Sequence, residues 1–197
     1  MKDSCKHRFA PVVEAINELV KTDKDLILVS IDGRCGCGKT TLGNYLTEIF
    51  DCNLFHMDDF FLQDHQRTEE RLNEAGGNVD YERFLKEVLC PVKEKRPVSY
   101  RPFSCATRTI GSGTVMEPQR LNIVEGSYSQ HPYFGDIYDL KIFMDIDAEV
   151  QYKNIVARNG QEKAKMFRDV WIPKEELYFQ TFQIANKCLV IPWEEYQ

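Results

Sequence analysis

No apolar run in this sequence approaches the roughly 20 residues that a membrane-spanning helix needs, and no internal repeat or low-complexity tract interrupts it. A block of basic residues is missing as well: 25 basic and 31 acidic side chains are interspersed and leave a net charge of -6. That balance excludes the electrostatic footprint of a nucleic-acid or anionic-membrane binder and points to small-molecule partners. The opening MKDSCKHRFA lacks the apolar core of a signal peptide, so a cytoplasmic location is expected. Seven cysteines are odd in number and follow no disulfide or metal-ligand spacing, which suits reduced thiols. Neither an NKxD for guanine selection nor a DxxG after a strand is present, which weighs against a GTP-driven switch. At 197 residues the chain fits one domain, 1–197, with its oligomeric state open and a homo-oligomer among the options.

What is present is organised around Leu26 to Leu42, LILVSIDGRCGCGKTTL. The apolar, partly β-branched start has no helical period and predicts a central strand buried on both faces. Gly33 and Gly38 then bracket four residues ahead of Lys39 and Thr40, the GxxxxGKT spacing of a phosphate-binding loop that leads from strand to helix. Glycines let the backbone turn its N–H groups inward, and the helix that follows aims its positive end at the same place. Gly33, Arg34, Cys35, Gly36, Cys37, Gly38, Lys39, Thr40 and Thr41 are therefore the candidate nucleotide-binding residues, with Lys39 on the outer phosphates and Thr40 on magnesium.

Around this core, Phe9 to Val20 has helical spacing with Pro11 near its start, and Asn53 to Met57 is a second short strand delivering Asp58 and Asp59 at its end. Ligands gather outside the carboxyl ends of strands in open parallel sheets, so one of these aspartates is a candidate base for an attacking hydroxyl. Capping of the next turn is the simpler alternative. His56 and His65 lie close by, at a spacing that matches no familiar metal-ligand set. Residues 63–78 read as a mobile loop, and Asp80 begins a helix that stops at Pro91, either as its N-terminal acid or as a substrate contact. A β-hairpin insert is expected at about 97–118. Leu121 to Val124 is an apolar strand ending at Glu125, the candidate acid for holding magnesium beside Thr40, with a lone surface Glu as the simpler alternative. Leu140 to Met144 is a further strand, with Asp147 placed to cap a helix. The stretch from 155 to 168 turns basic through Arg158, Lys163, Lys165 and Arg168. A last helix opens at Pro173, and Lys187 to Ile191 is a fifth strand. Alternating strands and helices imply an α/β fold, with a roughly five-stranded parallel sheet covered by helices on both faces.

Taken together, IDGRCGCGKTTL, HMDDFFL, RPFS, VEGSYSQHPYFGDIYDLKIFMDIDA and the basic segment resemble the uridine kinase family, with phosphoribulokinase and bacterial pantothenate kinase as relatives. The resemblance runs from about Leu26 to Ile191. It implies a P-loop NTPase three-layer fold, a single kinase domain with a lid at about 156–170, and ATP and Mg2+ as cofactors. It places Asp58 as general base, Glu125 as the acid helping to hold magnesium, and Arg158 as a lid arginine, with Arg168 beside it. Asp58, Asp80, Tyr100, Arg101 and Tyr128 become candidate acceptor contacts. The chain departs from the family in its acceptor pocket: NVDYERF is only an approximate match for the nucleoside-binding stretch, and a histidine expected on the pyrimidine falls near Cys105. Asn154 and Ile155 stand where paired arginines precede the lid.

The activity expected is ATP- and magnesium-dependent transfer of the γ-phosphate to a hydroxyl of a nucleoside or related small molecule. An ATP-binding regulatory or sensor protein without a small-molecule acceptor is the competing expectation. Cys35 and Cys37, near a helix N-terminus and Lys39, are also candidates for thiols of lowered pKa, against the simpler reading that they only tolerate the loop geometry.

Overall fold

Ile27, Val29 and Ile31 pack into one hydrophobic cluster and Leu28 into another, so the apolar run at the heart of the sequence is a strand covered on both faces. The computed structural model describes residues 3–193. In chain order the first half runs α1 (Asp3–Val20), β1 (Ile27–Gly33), α2 (Lys39–Ile49), β2 (Cys52–His56), α3 (Glu69–Asn73), α4 (Tyr81–Phe84) and α5 (Cys90–Lys93). An insert follows with β3 (Val98–Tyr100), β4 (Phe103–Ser104), β5 (Thr109–Ile110) and β6 (Thr114–Met116). The rest is β7 (Leu121–Glu125), β8 (Leu140–Met144), α6 (Ala148–Asn159), α7 (Gln161–Met166), α8 (Ile172–Phe182) and β9 (Leu189–Ile191).

The main sheet has the order β2-β7-β1-β8-β9 and is parallel throughout. Its register sets Ile31 opposite Glu125, and Glu125 opposite His56. The carboxyl ends of β1, β7 and β2 therefore finish side by side. On one face α1 and α2 supply Phe9, Val12, Ile16, Leu42 and Leu46; on the other, Phe84, Val88, Tyr178 and Phe179 cover Leu28, Phe55 and Phe143. Each layer removes one side of the strands from water, at roughly 1.5–3 kcal/mol for each large apolar side chain buried. The insert is a ribbon in two steps, β3 antiparallel to β6 and, beyond it, β4 antiparallel to β5.

Three local expectations are corrected. Pro11 lies inside α1, whose start is Asp3; it is exposed, so the carbonyl one turn back that it leaves unbonded stays near water. Pro91 does not end its helix either. A π turn over 85–89, closed by Cys90 N–H to Leu85 O, shifts the bonding just before a residue with no N–H to give, and Pro91 opens α5. The stretch 63–78 is not a featureless loop: Gln63 and Gln66 cap each other, and Thr68 caps α3 by accepting from Arg71 N–H.

Candidate active site

The phosphate loop is rooted where β1 meets β8. Gly33 has φ 137°, and a Cβ there would lie 2.1 Å from Met144 O, so only glycine fits. Lys39 is nearly buried and lies across the loop, donating to Gly33 O at 2.7 Å and Arg34 O at 3.0 Å. Thr40, one residue on, donates to Glu125 at 3.2 Å, which brings the start of α2 against the end of β7. His56, from the end of β2, meets the same carboxylate at 2.5 Å, and this bond holds the imidazole pKa up against its burial. No group of three or more His, Cys, Asp or Glu among the described residues is placed to enclose a metal ion. The Thr40 hydroxyl and Glu125 carboxylate nevertheless present hard oxygens on one spot, a donor pair that suits magnesium completed by phosphate oxygens and water.

The turn over 57–60 buries Met57 and Phe60 in the core and thereby separates the two aspartates. Asp59 accepts from Tyr100 Oη at 3.2 Å, and its backbone carbonyl accepts from Arg83 at 2.8 Å. Asp58 has no side-chain hydrogen bond among the described residues and is exposed to solvent, with protein packed around it. Partial desolvation raises its carboxyl above the usual range; Glu125 and Glu175 add to the rise, while Lys39 and Arg158 oppose it. A carboxylate so placed can accept a proton from a hydroxyl brought beside Lys39.

No protein-family model matches the chain. Among curated proteins it is 28% identical to uridine kinase-like protein 5 of Arabidopsis thaliana over 158 residues, 75% of this chain and 33% of that one. It is 22% identical to phosphoribulokinase of Synechocystis over 156 residues, 74% of this chain and 45% of that one. The match to uridine kinase of Clostridium tetani is 28% over 155 residues, 73% of each chain. The chain thus spans about a third of the first of these relatives and less than half of the second. Its fold matches that of a possible uridine kinase from Bacillus stearothermophilus with a TM-score of 0.71 and 18% identity, over 97% of this chain and 100% of that one. A candidate fructose transport system kinase from Silicibacter matches with the same TM-score at 19% identity, over 95% and 98%. The chain is thus similar in sequence to uridine kinases and a phosphoribulokinase, and it shares the fold of these solved structures.

Within this fold the remaining candidates separate. Arg158 is exposed, donates to Asn159 Oδ1 at 2.8 Å, and is close enough for its charge to act on Asp58. Arg168 instead pairs with its neighbour Asp169 at 2.7 Å. Asp80 caps α4, accepting from Arg83 N–H at 3.0 Å and from Gln66 Nε2 at 2.8 Å; the helix-start reading is the one its geometry carries. Tyr100 is buried among Phe55 and Phe60. Arg101 points outward toward Glu87, and its carbonyl accepts from Arg83. Tyr128 is buried against Tyr178 and has φ 74°. The expectation of reactive loop thiols is overturned: Cys35 and Cys37 are buried, and burial, with Glu175 beside them, pushes both thiols up.

Two acids that sequence reasoning missed hold the loop in place. Asp32 is fully buried and accepts from Gly33 N–H at 2.7 Å, Tyr128 N–H at 3.2 Å, Gln130 N–H at 3.1 Å and Tyr178 Oη at 2.9 Å. Burial still raises its carboxyl from 3.8 to about 6. Glu175, in α8, accepts from Cys35 N–H at 3.0 Å and Ser127 Oγ at 2.5 Å. An aspartate ending a buried strand was a visible signal for the first; nothing near Cys35 in sequence announces the second.

Proposed function

We propose that this chain is an ATP- and magnesium-dependent kinase that transfers the γ-phosphate of ATP to a hydroxyl of a small molecule, a nucleoside or related polyol. The observation that carries the reading is the contact between Thr40 and Glu125, which joins the phosphate loop to the end of β7 beside Asp58. The loop amides and Lys39 would hold the phosphates, and Thr40 and Glu125 would hold magnesium. Magnesium, when bound, supplies charge neutralisation on the transferring phosphoryl group. The acceptor oxygen forms a bond to the γ-phosphorus as the bond to the leaving ADP oxygen breaks, and Asp58 takes the hydroxyl proton. Lys39 and Arg158, the cations whose charge reaches Asp58, would offset negative charge spread over the phosphoryl oxygens. No helix among the described residues is long and apolar enough to cross a membrane, and we place the enzyme in the cytoplasm.

The test is incubation of the purified protein with magnesium-ATP and a panel of nucleosides, pantothenate and sugar phosphates, with products detected by mass. A phosphorylated acceptor is the expected outcome. Nucleotide binding with no acceptor modified would move the protein to the regulatory alternative.

A further inference from the structure

Every carbonyl of the phosphate loop from Gly33 to Gly38 accepts a hydrogen bond. Lys39 donates to Gly33 O and Arg34 O at 2.7 and 3.0 Å, and Leu42 N–H, in the first turn of α2, donates to Gly38 O at 3.0 Å. The three carbonyls between them are held by side chains from outside the loop. Gln151 Nε2 donates to Cys35 O at 3.1 Å, Asn154 Nδ2 to Gly36 O at 3.0 Å, and the Arg8 guanidinium to Cys37 O at 2.9 Å. Gln151 and Asn154 are one turn apart in α6, and the loop lies directly on that turn: a Cβ on Gly36 would be 3.4 Å from both Gln151 O and Ile155 Cγ1. Arg8 comes from α1 and also donates to Pro192 O at 3.0 Å. Gln151 and Arg8 are buried and Asn154 is half-buried.

The N–H groups of the loop are spent differently. Those of Gly36, Gly38 and Thr40 have no acceptor among the described residues. A trans peptide unit is planar, so its C=O and the N–H of the next residue point opposite ways. Gln151 draws Cys35 O toward α6 and thereby turns the Gly36 N–H away from that helix. Arg8, holding Cys37 O, fixes the Gly38 N–H in the same manner. Asn154 secures the unit between them, whose Cys37 N–H donates back to Arg34 O at 3.3 Å. Gly33, Gly36 and Gly38 all lie in this loop, and glycine loses more conformational freedom on being fixed than any other residue. Without outside anchors, that cost would fall on the binding of phosphate.

We propose that Gln151, Asn154 and Arg8 are positioning residues of the phosphate loop: they hold its carbonyls outward, so that the N–H groups of Gly36 and Gly38 face a nucleotide's phosphates before one arrives. The inference rests on the nucleotide-binding part of the reading above, and it names residues outside the GxxxxGKT motif that set the motif's shape. They act through the loop backbone and take no part in the bond changes.

The experiment uses Gln151→Met and Asn154→Leu, which keep the side chain close in size and remove its N–H donor. In each variant the released carbonyl turns to water while the loop is empty, and phosphate binding must force it back. The magnesium-ADP affinity measured by calorimetry should therefore fall by about tenfold in each. Without nucleotide, a neutral maleimide should label Cys35 about tenfold faster in Asn154→Leu than in wild type, while Cys52, at the start of β2, labels at its wild-type rate. Side chains that only filled space would leave both readouts unchanged, because the replacements fill it too. Wild-type affinity in both variants, or Cys52 labelling that rises in step with Cys35, overturns the inference and leaves the kinase reading standing. Failure of the wild-type chain to bind magnesium-ADP removes the nucleotide reading, and this inference with it.

Discussion

Replacing Asp32 by asparagine should change how stability depends on pH. The carboxyl is fully buried at the root of the phosphate loop, and burial raises its pKa from 3.8 to about 6 despite four donors aimed at it. A shift of that size, at about 1.4 kcal/mol per pKa unit, corresponds to about 3 kcal/mol. The sign follows from proton uptake. Between pH 3.8 and about 6 the native state holds the proton that the unfolded chain has released, so this group's contribution is fully present below the unfolded value and is lost as pH rises through the folded one. Asparagine has no such proton. The stability of wild type relative to Asp32→Asn should therefore fall by about 2–3 kcal/mol between pH 4 and pH 7.5. For a chain of this size that is a change of about 4–12 °C in the melting-temperature difference, read from thermal scans of both proteins at each pH. Tyr178→Phe removes one of the four donors, a bond that lowers the pKa, and should move the transition to higher pH. A difference between wild type and Asp32→Asn that stays flat from pH 4 to 7.5 would refute a buried, titrating Asp32.

Asp58→Asn should lower turnover by about 10²- to 10⁴-fold while changing magnesium-ADP affinity little; near-wild-type turnover would remove Asp58 as the base. Because crowding raises the Asp58 carboxyl, turnover should fall on acidification from above the usual aspartate range, which a kcat-against-pH profile reads directly. Gly33→Ala should destabilise the fold by several kcal/mol, since its Cβ would meet Met144 O at 2.1 Å on a strand that cannot give way; urea titration checks it. With a neutral maleimide at pH 7.5 and magnesium-ADP present, Cys105 should label well before Cys35 or Cys37, as peptide mapping would show.

The order of strands and helices was legible because each depends on neighbours in sequence. A short apolar run without helical period, a helix cap or a glycine that must turn is decided within a few residues, and β1, the phosphate loop, β7 and β8 were all visible that way. The helix interruptions were not. Pro11 and Pro91 are helix breakers by local chemistry, and only exposure in one case and a π turn in the other let the chain continue through them.

At the site, sequence supplied the residue types of the phosphate loop and the acids at the ends of β2 and β7. Tertiary structure decided what each acid touches. Asp58 and Asp59 are adjacent and chemically identical, and they differ because the turn aims them apart: Tyr100, 41 residues from Asp59, bonds that one, while Asp58 is left under the charges of Lys39 and Arg158. The carboxylate that accepts from Cys35 N–H comes from Glu175, 140 residues along the chain, and the phenol on Asp32 from Tyr178, 146 residues along. Hydrogen bonding and desolvation act over a few ångströms in space, whatever the separation in sequence. Local pattern therefore determined which elements form and where a phosphate would meet them, while packing alone determined which acids are held and by which partners.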